Sequence, residues 1–346
     1  MDKVSIKDVA QAAGVSTATV SYVLNDSRPV TQATRTRVLE AVHQLRYRPN
    51  VTGRSLQAQR TYLIGYCWRP LPPRQSSPIL DRFIHSMGVA AYQAGYHLLA
   101  FPAPSDEDEV AVYHNLVMTN RVDGIVLSAT NFDDPRVAYL ETTTMPFVAF
   151  GRAGDHSDEY PWVDVDGRAG MRLAVEHLIE QGYERIGMLA WPPGSQSGEH
   201  RYRGYRDGLR KVGREARDEW VVRVPHDPLA AFEGMTRLLA LPEAERPDAV
   251  VCVSDQVALG AMNAILAAGL RVGPDIGVVG FDDMPLAEVL YPPLSSIHQQ
   301  IDEIGELVIR QLRALIRGEV LSAEERQVLM EPTLVVRESS RRDGGR

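Results

Sequence analysis

Short apolar runs alternate with helix-like segments from about residue 61 to residue 337, and this alternation constrains the fold most strongly. The strand-like runs form two sets, at 62–66, 96–101, 124–128 and 147–150, and at 186–190, 220–222, 249–253 and 277–281. Helix-like segments lie between them, at 79–94, 168–181, 201–212, 229–240 and 255–268. Strands separated by helices predict parallel sheets covered on both faces. The sequence therefore predicts an α/β body of two doubly wound lobes in series.

The first sixty residues carry a different pattern, in which apolar positions follow helical spacing. Ser5 precedes the first helical run and Asp8 follows three residues later, as in a capping box. Gly14 lies where that helix would end, and only residues 14–16 separate it from the next run. A third run follows Thr31, a residue type that favours helix starts. This arrangement predicts an all-α helix-turn-helix domain, although any small three-helix bundle shares the pattern.

The charge of the chain is unevenly divided. The whole chain has 45 acidic and 37 basic residues, a formal net charge of -8, which alone would argue against nucleic-acid binding. Residues 1–60, however, hold nine Lys or Arg and four Asp or Glu, a net charge of +5, whereas the remaining residues carry -13. A small basic segment on an acidic body indicates an anionic partner for that segment alone.

Three stretches of the N-terminal segment carry a family resemblance: IKDVAQAAGVSTATVSYVLN, TRTRVLEAVHQLRYRPN and RSL. They resemble the DNA-binding end of the lactose-repressor (LacI/GalR) family of bacterial transcription regulators, and the rest of the chain follows the family's order to about residue 337. The resemblance implies that Thr17, Ala18 and Tyr22 read bases in the major groove. The other positions expected to contact DNA are Ser5, Thr19, Ser21, Asn25, Thr31, Arg35, Tyr47, Asn50, Gly53, Arg54 and Leu56.

Residues 50–60, NVTGRSLQAQR, would form a helix of two turns at most, which is marginal in water because helix nucleation is costly. Gly53 lowers its stability by roughly 1 kcal/mol relative to alanine. By resemblance, the hinge helices of two subunits pair in the minor groove, where Leu56 wedges between base pairs. The expected organisation has four parts: a DNA-binding domain at 1–48, a hinge at 49–60, a body at 61–337 and a polar tail at 338–346. Within the body, we expect a first lobe of about 61–163 plus 293–322 and a second lobe of about 164–292 plus 323–337.

Polar residues follow several predicted strands, at the sheet edge where ligands of such folds bind. Arg201 opens a predicted helix, and Asp282 follows the run 277–281. Carboxylate and guanidinium groups hydrogen-bond hydroxyls in pairs, and aromatic rings cover apolar ring faces. Asp255 and Asp283 would equally suit helix caps. By resemblance, the effector binds in the cleft between the lobes, where the candidate residues are Arg201, Asp282, Ser254, Ser128, Arg152, Trp68 and Ile301.

The effector is expected to be a sugar, while a nucleobase or another metabolite stays open. Gly151 and Ser254 depart from the residues of the lactose repressor, so a β-galactoside is not supported. The expected partners are a double-stranded DNA operator and a second copy of the chain, because a two-fold dimer reads a pseudo-palindrome. The same parts would serve an inducer or a corepressor.

Several function classes lack their sequence signals. No motif for nucleotide, phosphate-loop, hydrolase or zinc-protease chemistry is present, so neither an enzyme nor a cofactor is expected. Cys67 and Cys252 predict buried free thiols rather than a metal site or disulfide. No apolar run is long enough to cross a membrane. The N-terminus does not look like a signal peptide, which predicts a cytoplasmic protein. The alternative function is a sugar-binding protein of the periplasmic type, without a DNA target.

Overall fold

The computed structural model describes residues 4–25, 28–47, 60–71, 76–103, 106–154 and 160–342. The chain forms two compact units that divide at Thr61. The first is helical, and the second contains two six-stranded sheets. This architecture confirms the predicted α/β fold with an all-α N-terminal unit.

The N-terminal unit packs three helices around a small apolar core. They are α1 (Ile6–Ala13), α2 (Thr17–Asn25) and α3 (Gln32–Gln44). Ser5 and Asp8 form the predicted capping box at the start of α1, and Gly14 ends that helix with φ of 62°, in the left-handed region that glycine adopts freely. Val9, Val20 and Val38, one from each helix, are completely buried against one another, so a short turn suffices to hold the helices together.

The first lobe of the body is built on an entirely parallel sheet with helices on both faces. Its strands, in sheet order, are β11 (Gln327–Met330), β5 (Trp162–Val165), β4 (Phe147–Phe150), β3 (Gly124–Ser128), β1 (Leu63–Trp68) and β2 (His97–Pro102). One face packs on α4 (Pro78–Gln93) and α12 (Ile301–Ile316), and the other on α5 (Asp106–Met118) and α6 (Pro135–Glu141). The short helix α13 (Ala323–Arg326) precedes β11.

The second lobe repeats this plan with one antiparallel edge. Its strands, in sheet order, are β12 (Thr333–Val335), β10 (Ser295–His298), β9 (Gly277–Asp282), β8 (Ala249–Cys252), β6 (Ile186–Ala190) and β7 (Val221–Arg223), and only β12 runs antiparallel to its neighbour. Its helices are α7 (Gly167–Glu180), α8 (Gln196–Arg210), α9 (Pro228–Leu239), α10 (Asp255–Ala267) and α11 (Leu286–Val289), and 3₁₀ turns form at Asp218–Trp220 and Glu338–Ser340.

The chain passes between the lobes at points that differ from the predicted boundaries. We assigned 293–322 to the first lobe and 323–337 to the second, but residues 295–298 pair with β9 in the second sheet and residues 327–330 pair with β5 in the first. The crossings lie at 165–167, 298–301 and 330–333. Four-residue strands carry too little periodicity to show which sheet they join, because the pairing is tertiary.

Part of the predicted polar tail packs into the second lobe, although Glu338, Arg341 and Arg342 are exposed. Ser339 and Ser340 are completely buried. The Ser339 hydroxyl donates to the carbonyl of Val278 at 2.7 Å and accepts from the Ser295 amide at 2.8 Å. These two serines are therefore buried and hydrogen-bonded within the lobe, although their polarity suggested that they would be exposed.

Both cysteines are buried and free, as expected. Burial raises the pKa of the Cys67 thiol to about 11 and that of Cys252 higher still, so neither is reactive at neutral pH. Across the described segments, no helix combines the length and the apolar character that a membrane span requires.

Candidate functional site

The first candidate surface is the start of α2. The Ser16 hydroxyl accepts the Thr19 amide at 3.1 Å and so caps the helix. Thr17 and Ala18 are exposed in its first turn, whereas Thr19, Ser21 and Tyr22 are half-buried. Two of the three predicted base-reading side chains are thus exposed at the N-terminal end of α2, the helix expected to enter the major groove.

The remaining predicted DNA contacts fall into four groups. Ser5 and Thr31 are exposed N-caps of α1 and α3. Arg35 and Tyr47 are half-buried, and Tyr47 packs against the core. Asn25 is the last residue of α2. Asn50, Gly53, Arg54 and Leu56 lie outside the residues that the structure describes, so the hinge stays a prediction.

Tyr22 contacts one of the basic residues of the N-terminal segment. The Arg28 guanidinium lies 5.0 Å from the centre of the Tyr22 ring, a cation–π contact. It places a positive charge beside the recognition helix. The basic composition of residues 1–60 includes Arg28, but no sequence motif predicts its contact with Tyr22.

The second candidate site is a cavity of about 550 Å³ between the lobes. Its wall is formed where strands of both sheets end, which is the usual ligand position in such folds. The residues that line it are Arg69, Leu71, Ser77, Ile79, Leu80, Ala129, Thr130, Asn131, Phe150, Gly151, Arg152, Asp164, Val165, Gly167, Trp191, Ser195, Gln196, Ser197, His200, Arg201, His226 and Gln299.

Arg201 is the most deeply buried cation of this wall, with 7% of the residue exposed. Its guanidinium lies 3.7 Å from the centre of the Phe281 ring and donates to the Val253 carbonyl. Burial lowers the pKa of Arg201, but Asp282, 3.7 Å away, opposes that shift. Arg201 Nε is buried and has no hydrogen-bond partner among the described residues.

Asp282 lies behind Arg201 rather than on the cavity wall. It accepts a hydrogen bond of 2.7 Å from the Gln299 amide, and Gln299 does line the cavity. Burial raises the pKa of the Asp282 carboxyl, while the Arg201 guanidinium and the Gln299 amide lower it. Asp282 therefore orients the two side chains that reach the cavity, and its backbone φ of 117° shows that the position is strained.

The adjacent aspartates serve separate partners. Asp283 accepts from Arg337 at 2.8 Å and lies 2.9 Å from His298 Nδ1. Asp255 does not cap α10, a role that Ser254 fills; instead it accepts from the Met284 amide and the Ser296 hydroxyl. The helix-cap alternative is thus wrong for Asp255, whose carboxyl holds the loop that follows β9.

Arg152 contacts both lobes. Its Nε donates to Asp164 at 2.8 Å, and its Nη2 lies 3.3 Å from His200 Nδ1. Arg152 follows β4 and Asp164 lies in β5, both in the first lobe, whereas His200 belongs to α8 in the second. This contact is part of what holds the lobes in the observed arrangement.

Arg69 is anchored by a buried ion-pair network. Its Nη2 donates to Glu109 at 2.8 Å, and Glu109 also pairs with Arg136 at 3.3 Å. Arg136 binds Asp134 through two hydrogen bonds of 2.9 and 2.6 Å. Because Glu109, Asp134 and Arg136 are all buried, the rim position of Arg69 is firmly set.

Of the seven predicted effector residues, Arg201 and Arg152 line the cavity. Ser254 is one layer behind, with its hydroxyl 3.3 Å from His226 Nδ1. Ser128 is buried against the Tyr66 hydroxyl at 2.8 Å, and Ile301 belongs to the apolar core of the first lobe. Trp68 ends β1 and is 37% exposed, but it does not line the cavity. Ser128, Ile301 and Trp68 therefore do not line the cavity, because the resemblance gives a strand position but not the direction of its side chain.

Sequence reasoning missed Trp191, Gln196, His200, His226 and Asp164 as lining residues. Trp191 directly follows β6, and its place after a predicted strand was a usable signal. Asp164 lies in β5, which is too short to show a pattern. Burial and the Arg201 charge lower the pKa of His226, which keeps this imidazole neutral at pH 7.

Two family models match the two parts of this chain. Residues 5–50 match the model of the lacI family of bacterial regulatory proteins, and residues 175–340 match a periplasmic binding protein-like domain. A repressor of Mannheimia succiniciproducens, HTH-type transcriptional repressor PurR, is 33% identical over 336 residues, which cover 97% of this chain and 98% of the relative.

Solved structures resemble the chain over almost its whole length. The lac repressor dimer bound to operator and an anti-inducer has a TM-score of 0.85 at 29% identity, covering 98% of this chain and 99% of that one. The complex of the transcriptional regulator CelR with cellobiose has a TM-score of 0.74 at 31% identity, covering 97% and 100%. These relatives are regulators rather than enzymes. The chain therefore belongs to the LacI family and is a DNA-binding regulator of transcription.

Proposed function

We propose that this protein is a cytoplasmic repressor that binds a pseudo-palindromic operator as a homodimer, under the control of a neutral sugar bound between the lobes. The observation that carries the ligand class is the charge pairing of the cavity. Each arginine of its wall has a carboxylate partner: Arg69 has Glu109, Arg152 has Asp164 and Arg201 has Asp282. An anionic ligand would therefore find no cation that is not already shared.

The rest of the wall suits a hydroxylated ring. Phe150 and Trp191 offer apolar faces, one from each lobe, and hydrogen-bonding groups from Gln196, Gln299 and Arg201 lie on the same wall. Sugar sites combine aromatic faces with such polar groups. The cellobiose bound to CelR, a relative of 31% identity, supports the same ligand class.

A homodimer follows from the DNA-binding unit, since one helix-turn-helix reads one half-site. We propose that α4 and the neighbouring segment 297–317 form the dimer interface. On α4, Val89 is 46% exposed and Tyr92 is 72% exposed, an apolar surface that a second copy would cover. The isologous interface of a two-fold dimer would then present both DNA-binding units to one operator.

Ligand binding would bias the relative position of the lobes and, through the hinges, the affinity for DNA. The Arg152–His200 contact of 3.3 Å joins the two lobes beside the cavity and depends on their spacing. Coupling of this kind is reciprocal, so operator DNA must change the affinity for the ligand by the same factor. The scheme serves an inducer or a corepressor equally.

The test separates DNA binding from the ligand response. A screen of sugars and purine bases by thermal shift identifies a ligand, because stabilisation grows as RT ln(1 + [L]/Kd). We expect Arg201→Ala to abolish the effect of that ligand in an operator mobility-shift assay while retaining operator binding. Arg201→Lys, which keeps the charge beside Asp282, serves as the control for folding. A normal ligand response in Arg201→Ala would refute the placement of the site, and stabilisation by purines alone would refute the sugar.

A further inference from the structure

Two residues of the cavity wall carry buried polar atoms without partners, one in the first turn of α8 and one whose ring lies against that turn, at Gly198. Gln196, the first residue of α8, is 2% exposed, and neither its amide oxygen nor its amide nitrogen has a hydrogen-bond partner among the described residues. The indole N–H of Trp191 is likewise buried and unpaired. Native proteins leave few such groups unsatisfied, and each one calls for an explanation.

Neither side chain has a structural task that explains these atoms. The helix start at α8 is capped by the Ser195 hydroxyl, which accepts the Gly198 amide at 3.2 Å, so Gln196 is not needed as a cap. The Trp191 ring packs edge-on against His226, with centroids 5.5 Å apart, and Arg201 lies 5.2 Å from its centre. Those contacts use the carbon surface of the indole and leave its N–H unused.

We infer that Gln196 and Trp191 form a polar subsite that binds a pair of neighbouring hydroxyl groups of the sugar, and thereby select among sugars. This inference rests on the proposed function. The glutamine amide offers one acceptor and two donors, and the indole offers one further donor. Hydroxyl groups donate and accept, so a vicinal diol can satisfy both side chains together. The charge pairs of the wall hold the ligand in place, while this subsite reads its hydroxyl pattern.

The subsite carries a stability signature that a structural residue would not show. An unpaired buried amide destabilises the ligand-free protein, because its desolvation is uncompensated. Gln196→Met keeps the length of the side chain and removes both polar atoms. We expect Gln196→Met to raise the Tm of the free protein and to weaken sugar binding about tenfold.

Gln311 provides the matched control. It is also a buried glutamine, 3% exposed, and its amide oxygen likewise lacks a partner among the described residues, but its amide nitrogen donates to the Glu325 carbonyl at 2.6 Å and it does not line the cavity. Gln311→Met should therefore lower the Tm and leave the sugar affinity unchanged. The two substitutions are chemically identical, so opposite signs in Tm separate a ligand-binding amide from a structural one.

The experiment uses the full-length protein and titration calorimetry with glucose, galactose, cellobiose, maltose, lactose and trehalose. For the sugar that binds most tightly, single-deoxy analogues are compared on the wild type, on Gln196→Met and on Trp191→Phe, which removes only the N–H. One deoxy position should lose affinity on the wild type but not on the variants, as in a double-mutant cycle.

The outcomes distinguish the subsite from the function it rests on. Unchanged sugar affinity in Gln196→Met overturns the subsite and leaves the proposed repressor intact. A lower Tm together with weaker binding shows a structural role and also overturns it. If no neutral sugar binds to protein that still binds DNA, the sugar assignment fails, and the subsite fails with it.

Discussion

Two buried aspartates, at the end of β9 and the start of α10, show how single residues affect the electrostatics of this site. Asp255 and Asp282 interact, and only Asp282 has a cation, Arg201, beside it. Burial raises the pKa of the Asp255 carboxyl, and the charge of Asp282 raises it further, while hydrogen bonds from Ser296 and Met284 oppose the shift. The ionised form of Asp255 is therefore the costly one.

This cost predicts a pH dependence of stability. A carboxyl with a raised pKa stabilises the fold below its ordinary pKa of about 3.9, and that contribution is lost as the pH rises towards the raised value. The asparagine of Asp255→Asn does not titrate. The Tm of this variant, relative to that of the wild type, should therefore increase as the pH rises from about 5 to about 8. Thermal melts across this range measure the difference.

Asp275 is the control of opposite sign. Its pKa is lowered by hydrogen bonds from Arg271, including one of 2.7 Å to the guanidinium, so the ionised form is the stable one. The Tm of Asp275→Asn, relative to that of the wild type, should not increase as the pH rises over this range. A constant Tm difference between Asp255→Asn and the wild type would show that Asp255 does not titrate in this range.

Strand ends and helix starts predicted the chemistry of the cavity only in part. Arg152 follows a predicted strand, Arg201 opens a predicted helix, and both line the cavity, whereas Trp68 and Ser128 also stand at strand ends and do not. Gln196 was not predicted, because it precedes the predicted start of its helix and nothing in a lone glutamine marks burial. Which polar atoms lack partners is a property of packing, and no sequence pattern records it.

Among the elements, α7 and α8 make an unusually close contact. A Cβ added at Gly204 in α8 would collide with the backbone carbonyl of Arg168 in α7. A backbone atom cannot move aside as a flexible side chain can. Gly204 therefore sets the separation of the two helices, and with it the position of Arg201, one turn earlier on α8.

We expect Gly204→Ala to lower the Tm by several degrees, although alanine is the better helix former. The control is Gly88→Ala in α4, where the new Cβ would meet only Leu98 Cδ1 at an ordinary 3.5 Å. Gly88→Ala should be neutral or stabilising by up to about 1 kcal/mol, since it removes the flexibility of glycine. Equal changes in Tm for Gly204→Ala and Gly88→Ala would mean that the contact between α7 and α8 does not require glycine at position 204.

Element by element, long periodic segments were predictable, and so were the short strands β4, β7 and β8, which coincide with apolar runs, but four other short strands were not. The helix expected at 79–94 is α4, and the strand expected at 124–128 is β3. Strands β5, β10, β11 and β12 have three or four residues each and were missed. Such strands exist because a sheet edge is available to them, so their identity depends on tertiary structure.

At the scale of the whole molecule, the split of charge between +5 and -13 assigns electrostatic attraction for DNA to the N-terminal unit. The body repels a polyanion, and the arginines of its cavity are neutralised by partners. The two binding activities of the protein should therefore respond differently to salt.

We expect operator affinity to fall steeply with salt, by close to one logarithmic unit per tenfold rise in salt for each phosphate neutralised. Sugar affinity should change little over the same range, because no net charge is bound. Fluorescence anisotropy on labelled operator and calorimetry on the sugar measure the two slopes. A flat slope for DNA would contradict the electrostatic account, and a steep one for the ligand would indicate an anion.

The three crossings between the lobes also decide when the body can fold during synthesis. The first sheet is completed by β11 and the second by β12, so each lobe waits for residues beyond 326. When β5 leaves the ribosome, five strands of the first sheet exist but its edge and the covering helix α12 do not. A nascent chain stopped before residue 327 leaves both lobes unfinished, and a shortened product cannot supply one intact lobe that competes for ligand.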